Sequence, residues 1–124
     1  MDEQDERLNI EKTDIIDGLA YDKESFTLIL LLADGMDWLD ENRHLLLLQE
    51  KLNTYIAYID TKQYAEKYPD VRKIEFQVGF LFKEPYLCRY LLERAEMILT
   101  DIFGDVEFKI EYGTMDSEYD ESDE

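Results

Sequence analysis

The chain has 124 residues, 45% of them hydrophobic, and carries 31 Asp and Glu against 13 Lys and Arg, a formal net charge of −18. This length and apolar content suit one domain with a real core, and a field of that sign repels nucleic acid and anionic lipid, so binding to either is not expected. The lone Cys88 excludes an internal disulfide and a cysteine-based zinc cluster and points to a reducing, cytoplasmic setting.

Residues 1–13 hold five acids with little apolar content beyond Leu8 and Ile10, and are expected to form a flexible acidic N-terminus. No signal peptide is expected there, and no apolar run approaches the roughly 20 residues that cross a bilayer. Asp14 to Tyr21 and Ser25 to Ala33 are short apolar runs separated by Asp22-Lys23-Glu24, which suits a hairpin. The second run is apolar on both alternating faces, with Phe26, Leu28, Leu30 and Leu32 on one and Ile29 and Leu31 on the other. It is therefore either a central strand covered twice or part of a contact surface.

Asp34 to Glu41 leads into a helix expected over about 41–64, with Asp37 or Asp40 as its cap. Leu45, Leu48, Leu52, Tyr55, Ile56 and Ile59 form its core stripe, and Leu47 and Tyr58 fall on the far side. Tyr68-Pro69-Asp70 stops this segment. Arg72 to Lys83 alternates, with Ile74, Phe76, Val78, Phe80 and Phe82 sharing one face, and Leu81 falls on the other. Pro85 opens a second helix running to about Phe103, with Cys88, Leu91, Leu92, Ala95, Ile98, Leu99 and Ile102 on its apolar face and Gly104 as its stop. A last strand alternates Val106, Phe108, Ile110 and Tyr112 with Glu107, Lys109 and Glu111, and an acidic tail, expected to be disordered, follows over 113–124.

The order is β-β-α-β-α-β. One apolar stripe per helix predicts an α+β two-layer sandwich, residues 14–112 forming a mixed four-stranded sheet with both helices on one face. The first two strands are expected to pair antiparallel, and strand order is not fixed by the pattern.

Candidate chemistry is sparse. The acidic turn of Asp34, Asp37, Asp40 and Glu41 lacks the alternating spacing of a calcium loop, and helix capping accounts for its acids, so no metal and no cofactor is expected. His44 is the only histidine and reads as a structural, hydrogen-bonded side chain, with catalysis the lesser reading. Cys88 reads as a buried small hydrophobe rather than a thiolate activated by its helix terminus. Trp38, Tyr55, Tyr58, Tyr64 and Tyr68 gather around the first helix, and aromatic side chains of this kind are enriched at protein interfaces.

Ile16-Asp17, Asp22, the run Asp37-Trp38-Leu39-Asp40-Glu41, the stretch from His44 to Tyr55, Ile59 and Tyr68-Pro69 resemble a family of small bacterial proteins classed as a domain of unknown function. The resemblance spans roughly residues 14–70, and its most specific part is the histidine with the leucines and Gln-Glu-Lys that follow. Typical members carry Ser-Gly or similar at Thr61-Lys62. The resemblance implies a bacterial, cytoplasmic protein and brings no activity, ligand or catalytic residue with it.

The first expectation is a non-enzymatic domain that binds a protein, in the manner of an acidic immunity or inhibitor protein for a basic partner. Its contact residues would be Asp34, Asp37, Trp38, Asp40, Glu41, Leu47 and Tyr58. A structural homodimer is the alternative, and an enzyme or small-ligand sensor using His44 ranks last.

Overall fold

The computed structural model describes residues 9–115. Its elements are β1 (Gly18–Asp22), β2 (Thr27–Asp34), α1 (Glu41–Asp60), β3 (Lys73–Phe80), α2 (Tyr86–Ile102) and β4 (Glu107–Thr114). The sheet order is β1-β2-β3-β4, with β1 antiparallel to β2 and β2, β3 and β4 mutually parallel. The α+β sandwich expected from the sequence is the observed fold, and the strand order left open by the pattern is sequential.

Alternation decides which sheet face is covered. Leu28, Leu30 and Leu32 of β2, Ile74, Phe76, Val78 and Phe80 of β3, and Phe108 and Ile110 of β4 are all buried beneath the helices. Each side chain of this kind stabilises the fold by roughly 1.5–3 kcal/mol through burial. Leu48, Leu52, Tyr55 and Ile59 of α1 and Cys88, Leu92 and Leu99 of α2 complete the core. Among the described residues, nothing of the helix layer covers the opposite face. There Ile29 is half-buried and Leu31 is exposed, flanked on β3 and β4 by Glu75, Gln77, Lys109 and Glu111. β2 is thus a central strand covered once. β3 ends at Phe80, although the Leu81 amide still donates to the Asp34 carbonyl in line with the parallel ladder, and Leu81 is half-buried. Phe82, expected on the buried side, is instead exposed.

The hairpin between β1 and β2 is held by Asp22, whose carboxylate accepts from the Glu24 amide and the Ser25 hydroxyl. These contacts hold the Asp22 carboxyl below its ordinary pKa. Phe26 then takes a left-handed conformation, φ 57°, and its ring lies under the Arg72 guanidinium at 4.6 Å.

Helix α1 begins on Asp40, which accepts from the Arg43 amide. It stops at Asp60, short of the expected Tyr64, because Lys62 adopts φ 57° while its amide donates to Ile59 and the Gln63 amide to Tyr58. These are the paired bonds of a Schellman motif, with lysine at the left-handed position that usually holds glycine.

The segment expected to be a flexible acidic N-terminus over 1–13 is, from Asn9 onward, folded against α1. Ile10 is buried in the core, and the fully buried Lys51 ammonium donates to the Lys12 carbonyl and the Asp17 carboxylate, each at 2.9 Å, and at 3.5 Å to Asn9. The Thr54 hydroxyl donates to the Thr13 carbonyl. At the other end, Gly113 and Thr114 belong to β4 instead of the tail, the Met115 amide donates to the Phe80 carbonyl, and residues 116–124 of that expected tail lie outside the described residues. On the outer side of β4, the Ile110 amide donates to the Glu96 carboxylate of α2 at 2.7 Å.

Candidate functional site

The acidic turn after β2 is taken up by local structure. Asp34 shares the inward parity of Leu28, Leu30 and Leu32, and it is fully buried rather than surface-exposed as a partner-binding residue must be. Its carboxylate lies 2.5 Å from His44 Nε2 and also accepts from the Met36 amide. His44 Nδ1 lies 2.9 Å from the Asp37 carbonyl oxygen. A carbonyl can only accept, so Nδ1 carries the proton and Nε2 shares one with Asp34. Both nitrogens of this fully buried imidazole are engaged, which leaves no lone pair facing solvent. The Asp37 carboxylate accepts from the Leu39 amide, and Asp40 caps α1. Asp37 and Asp40 remain exposed, and Glu41 is half-buried.

Trp38 covers the pair. Its indole stacks on His44 with centroids 3.5 Å apart, and its Nε1 donates to the Phe82 carbonyl. Leu47 and Tyr58, expected to reach outward, are half-buried and pack on the core. Of the seven residues expected to form one contact surface, the turn residues gather around the end of β2 and the start of α1, while Leu47 and Tyr58 stand farther along the helix. Cys88 is also fully buried; burial, reinforced by Asp34 and Glu84, raises its thiol to about 12. Among the described residues, no three or more His, Cys, Asp or Glu side chains group as a metal site.

A larger feature lies between the helices. Leu45, Leu52 and Ile56 of α1 face Leu87, Tyr90, Leu91, Ala95 and Ile98 of α2 across a groove of about 490 Å³. Its polar lining residues are Gln49, Asn53 and Arg94. Leu52 and Leu99 are buried at its floor, whereas Leu87 is 52% exposed, Tyr90 50% and Ile98 50%. Met97 and Ile102 are exposed on the same helix. The apolar face expected for α2 is therefore split: Cys88, Leu92 and Leu99 meet the sheet, and Leu91, Ala95 and Ile98 line the groove. The signal was present in the composition of α2, whose apolar side chains cover more of its circumference than a single buried stripe requires.

A four-stranded sheet with one helix layer, and an apolar channel open between the two helices, defines a two-layer α+β domain with an accessible apolar groove on the helix side. The chain belongs to the DUF6572 family, described as a family of unknown function, whose model matches residues 8–116. No curated protein and no solved structure matches the chain. Among the described residues, no helix is long and apolar enough to cross a membrane.

Proposed function

We propose that the protein is a non-enzymatic binding domain that engages a basic protein partner, in the manner of acidic immunity or inhibitor proteins. The observation that carries this reading is an apolar groove left open to solvent, with Leu87, Tyr90 and Ile98 each half or more exposed, on a chain with a net charge of −18. The field accelerates encounter with a cationic surface, and the groove supplies the desolvated contact. Buried, doubly engaged His44 supports a structural role for that residue. The free, buried Cys88 supports a reducing compartment, and a bacterial cytoplasm is part of the same reading.

The test is affinity capture from the native host at low and high salt, using wild type and a Leu87→Glu/Ile98→Glu variant. A basic partner held by wild type, weakened by salt and lost with the variant, is the expected result. A partner retained equally by both proteins at both salt concentrations overturns the reading. The exposed apolar run along α2 also favours a second reading, a homodimer through the helix layer; sedimentation at high micromolar concentration separates the two.

A further inference from the structure

We propose that the groove between α1 and α2 takes an amphipathic α-helix of the basic partner, docked antiparallel to both helices. This deepens the protein-binding reading and rests on it.

The shape of the walls selects the occupant. Each crossover between parallel strands returns against the strand direction, so α1 and α2 run the same way. From Leu45 to Ile56 and from Leu87 to Ile98 the two walls advance by matched lengths of about three helical turns, roughly 16 Å. Backbone groups along both walls are already bonded within their own helices. An extended segment laid between them would set its amides and carbonyls against leucine and isoleucine, with Gln49, Asn53 and Arg94 as the polar lining residues. A helix satisfies its own backbone and presents side chains at i, i+3, i+4 and i+7 to both walls.

Charge selects the sign and the direction. A second copy would bring another net charge of −18 against the first, whereas a cationic segment is attracted. Neither α1 nor α2 has a basic residue in its last turn, so no cation within either helix offsets the negative end of its dipole. Asp60 continues the α1 wall past Asn53 and Ile56, Asp101 continues the α2 wall past Arg94 and Ile98, and both are exposed. That end of the groove favours the positive N-terminus of an incoming helix and Lys or Arg in its first turn. The docked helix therefore runs opposite to α1 and α2.

The probes are three labelled peptides of about four turns: a Leu/Lys peptide with leucine at i, i+3, i+4 and i+7, the same composition with two central prolines, and a Leu/Glu counterpart. Anisotropy titrations against the intact chain are expected to show the Leu/Lys helix binding at least about tenfold tighter than the proline-broken peptide, with the Leu/Glu peptide weakest. Leu87→Glu/Ile98→Glu, two exposed positions whose folding is checked by circular dichroism, should weaken that binding at least about tenfold. Asp60→Asn/Asp101→Asn should reduce it severalfold and flatten its salt dependence. A photo-crosslinker at the peptide N-terminus should label the Asp60 and Ile102 end. Equal binding of the straight and broken basic peptides, indifference to the groove variant, or labelling at the Leu45 and Leu87 end overturns helix docking in this direction while leaving a basic partner in place. Absence of binding by both basic peptides overturns the partner reading as well. A sedimenting dimer dissolved by Ile98→Glu assigns the groove to a second copy and overturns the proposal.

Discussion

The carboxylate of Asp34 and the imidazole of His44, both completely withdrawn from solvent, meet at 2.5 Å and join the last residue of β2 to the first turn of α1. Replacing Asp34 by alanine leaves a buried ring nitrogen and the Met36 amide without their partner, a loss of about 1–3 kcal/mol for each group. Asp34→Asn, which keeps the volume and an acceptor, should cost less. Urea midpoints for both variants check the order; equal midpoints for Asp34→Ala and wild type would show that the pair does not hold the fold together.

Lys51 closes the N-terminal segment onto α1, and its removal strands the Asp17 carboxylate and the Lys12 carbonyl. Lys51→Ala is expected to lose about 3–5 kcal/mol and to speed amide exchange from residue 9 to residue 17 ahead of the sheet. Hydrogen exchange resolved by residue reads this directly. Protection unchanged in that segment would contradict the anchoring role.

Tyr55 places one hydroxyl between two backbone groups: it donates to the Leu31 carbonyl and accepts from the Asp17 amide. Tyr55→Phe removes a single oxygen and leaves both groups short of a partner, which costs about 1–3 kcal/mol. Thermal unfolding of the variant should fall accordingly, with the native circular dichroism spectrum retained.

Lys62 holds a left-handed conformation that glycine adopts without steric cost. Lys62→Gly relieves about 1–2 kcal/mol of left-handed strain and loses about 0.4–1 kcal/mol to the added freedom of the unfolded chain, a net stabilisation of up to about 1 kcal/mol. Its ion pair with Asp105 is exposed on both sides and opposes this weakly. A lowered urea midpoint would indicate that the lysine side chain contributes more than its backbone costs.

Burial raises the Cys88 thiol from its ordinary 9 to about 12, so the folded chain holds that proton to higher pH than the unfolded chain does. Stability from this group is complete below pH 9 and declines as pH rises from 9 towards 12, with a limiting slope of about 1.4 kcal/mol per pH unit. Tyr112, whose hydroxyl donates to Glu93, is raised from 10 to about 12 and works in the same direction, more weakly because it is partly solvated. Urea midpoints at pH 8 and pH 10.5 should fall more for wild type than for Cys88→Ala. A thiol reagent at pH 8 should label Cys88 only on unfolding.

The element order was legible because two periodicities, two and 3.6, switch cleanly along the chain. What escaped was chemistry hidden inside those periods. Asp34 continues the inward parity of Leu28, Leu30 and Leu32, yet its place among other acids suggested a surface. Lys51 falls between Leu48, Leu52 and Tyr55 on the buried face of α1, a position that periodicity marks and residue type disguises. Ile10 sits in so acidic a stretch that local composition argued against the packing supplied by α1. The groove was obscured for the opposite reason: Leu91, Ala95 and Ile98 are all apolar, and a helix stripe does not say whether it meets one neighbour or two.

The Glu96 carboxylate that receives the Ile110 amide occupies a donor on the last strand that a fifth strand would otherwise use. Growth of the sheet from molecule to molecule is obstructed at that rim by a charged side chain held in place from within. Neutralising it in Glu96→Ala would free a ladder position, and the expected symptom is a slow, concentration-dependent rise in light scattering with a thioflavin signal, appearing while the monomer remains folded.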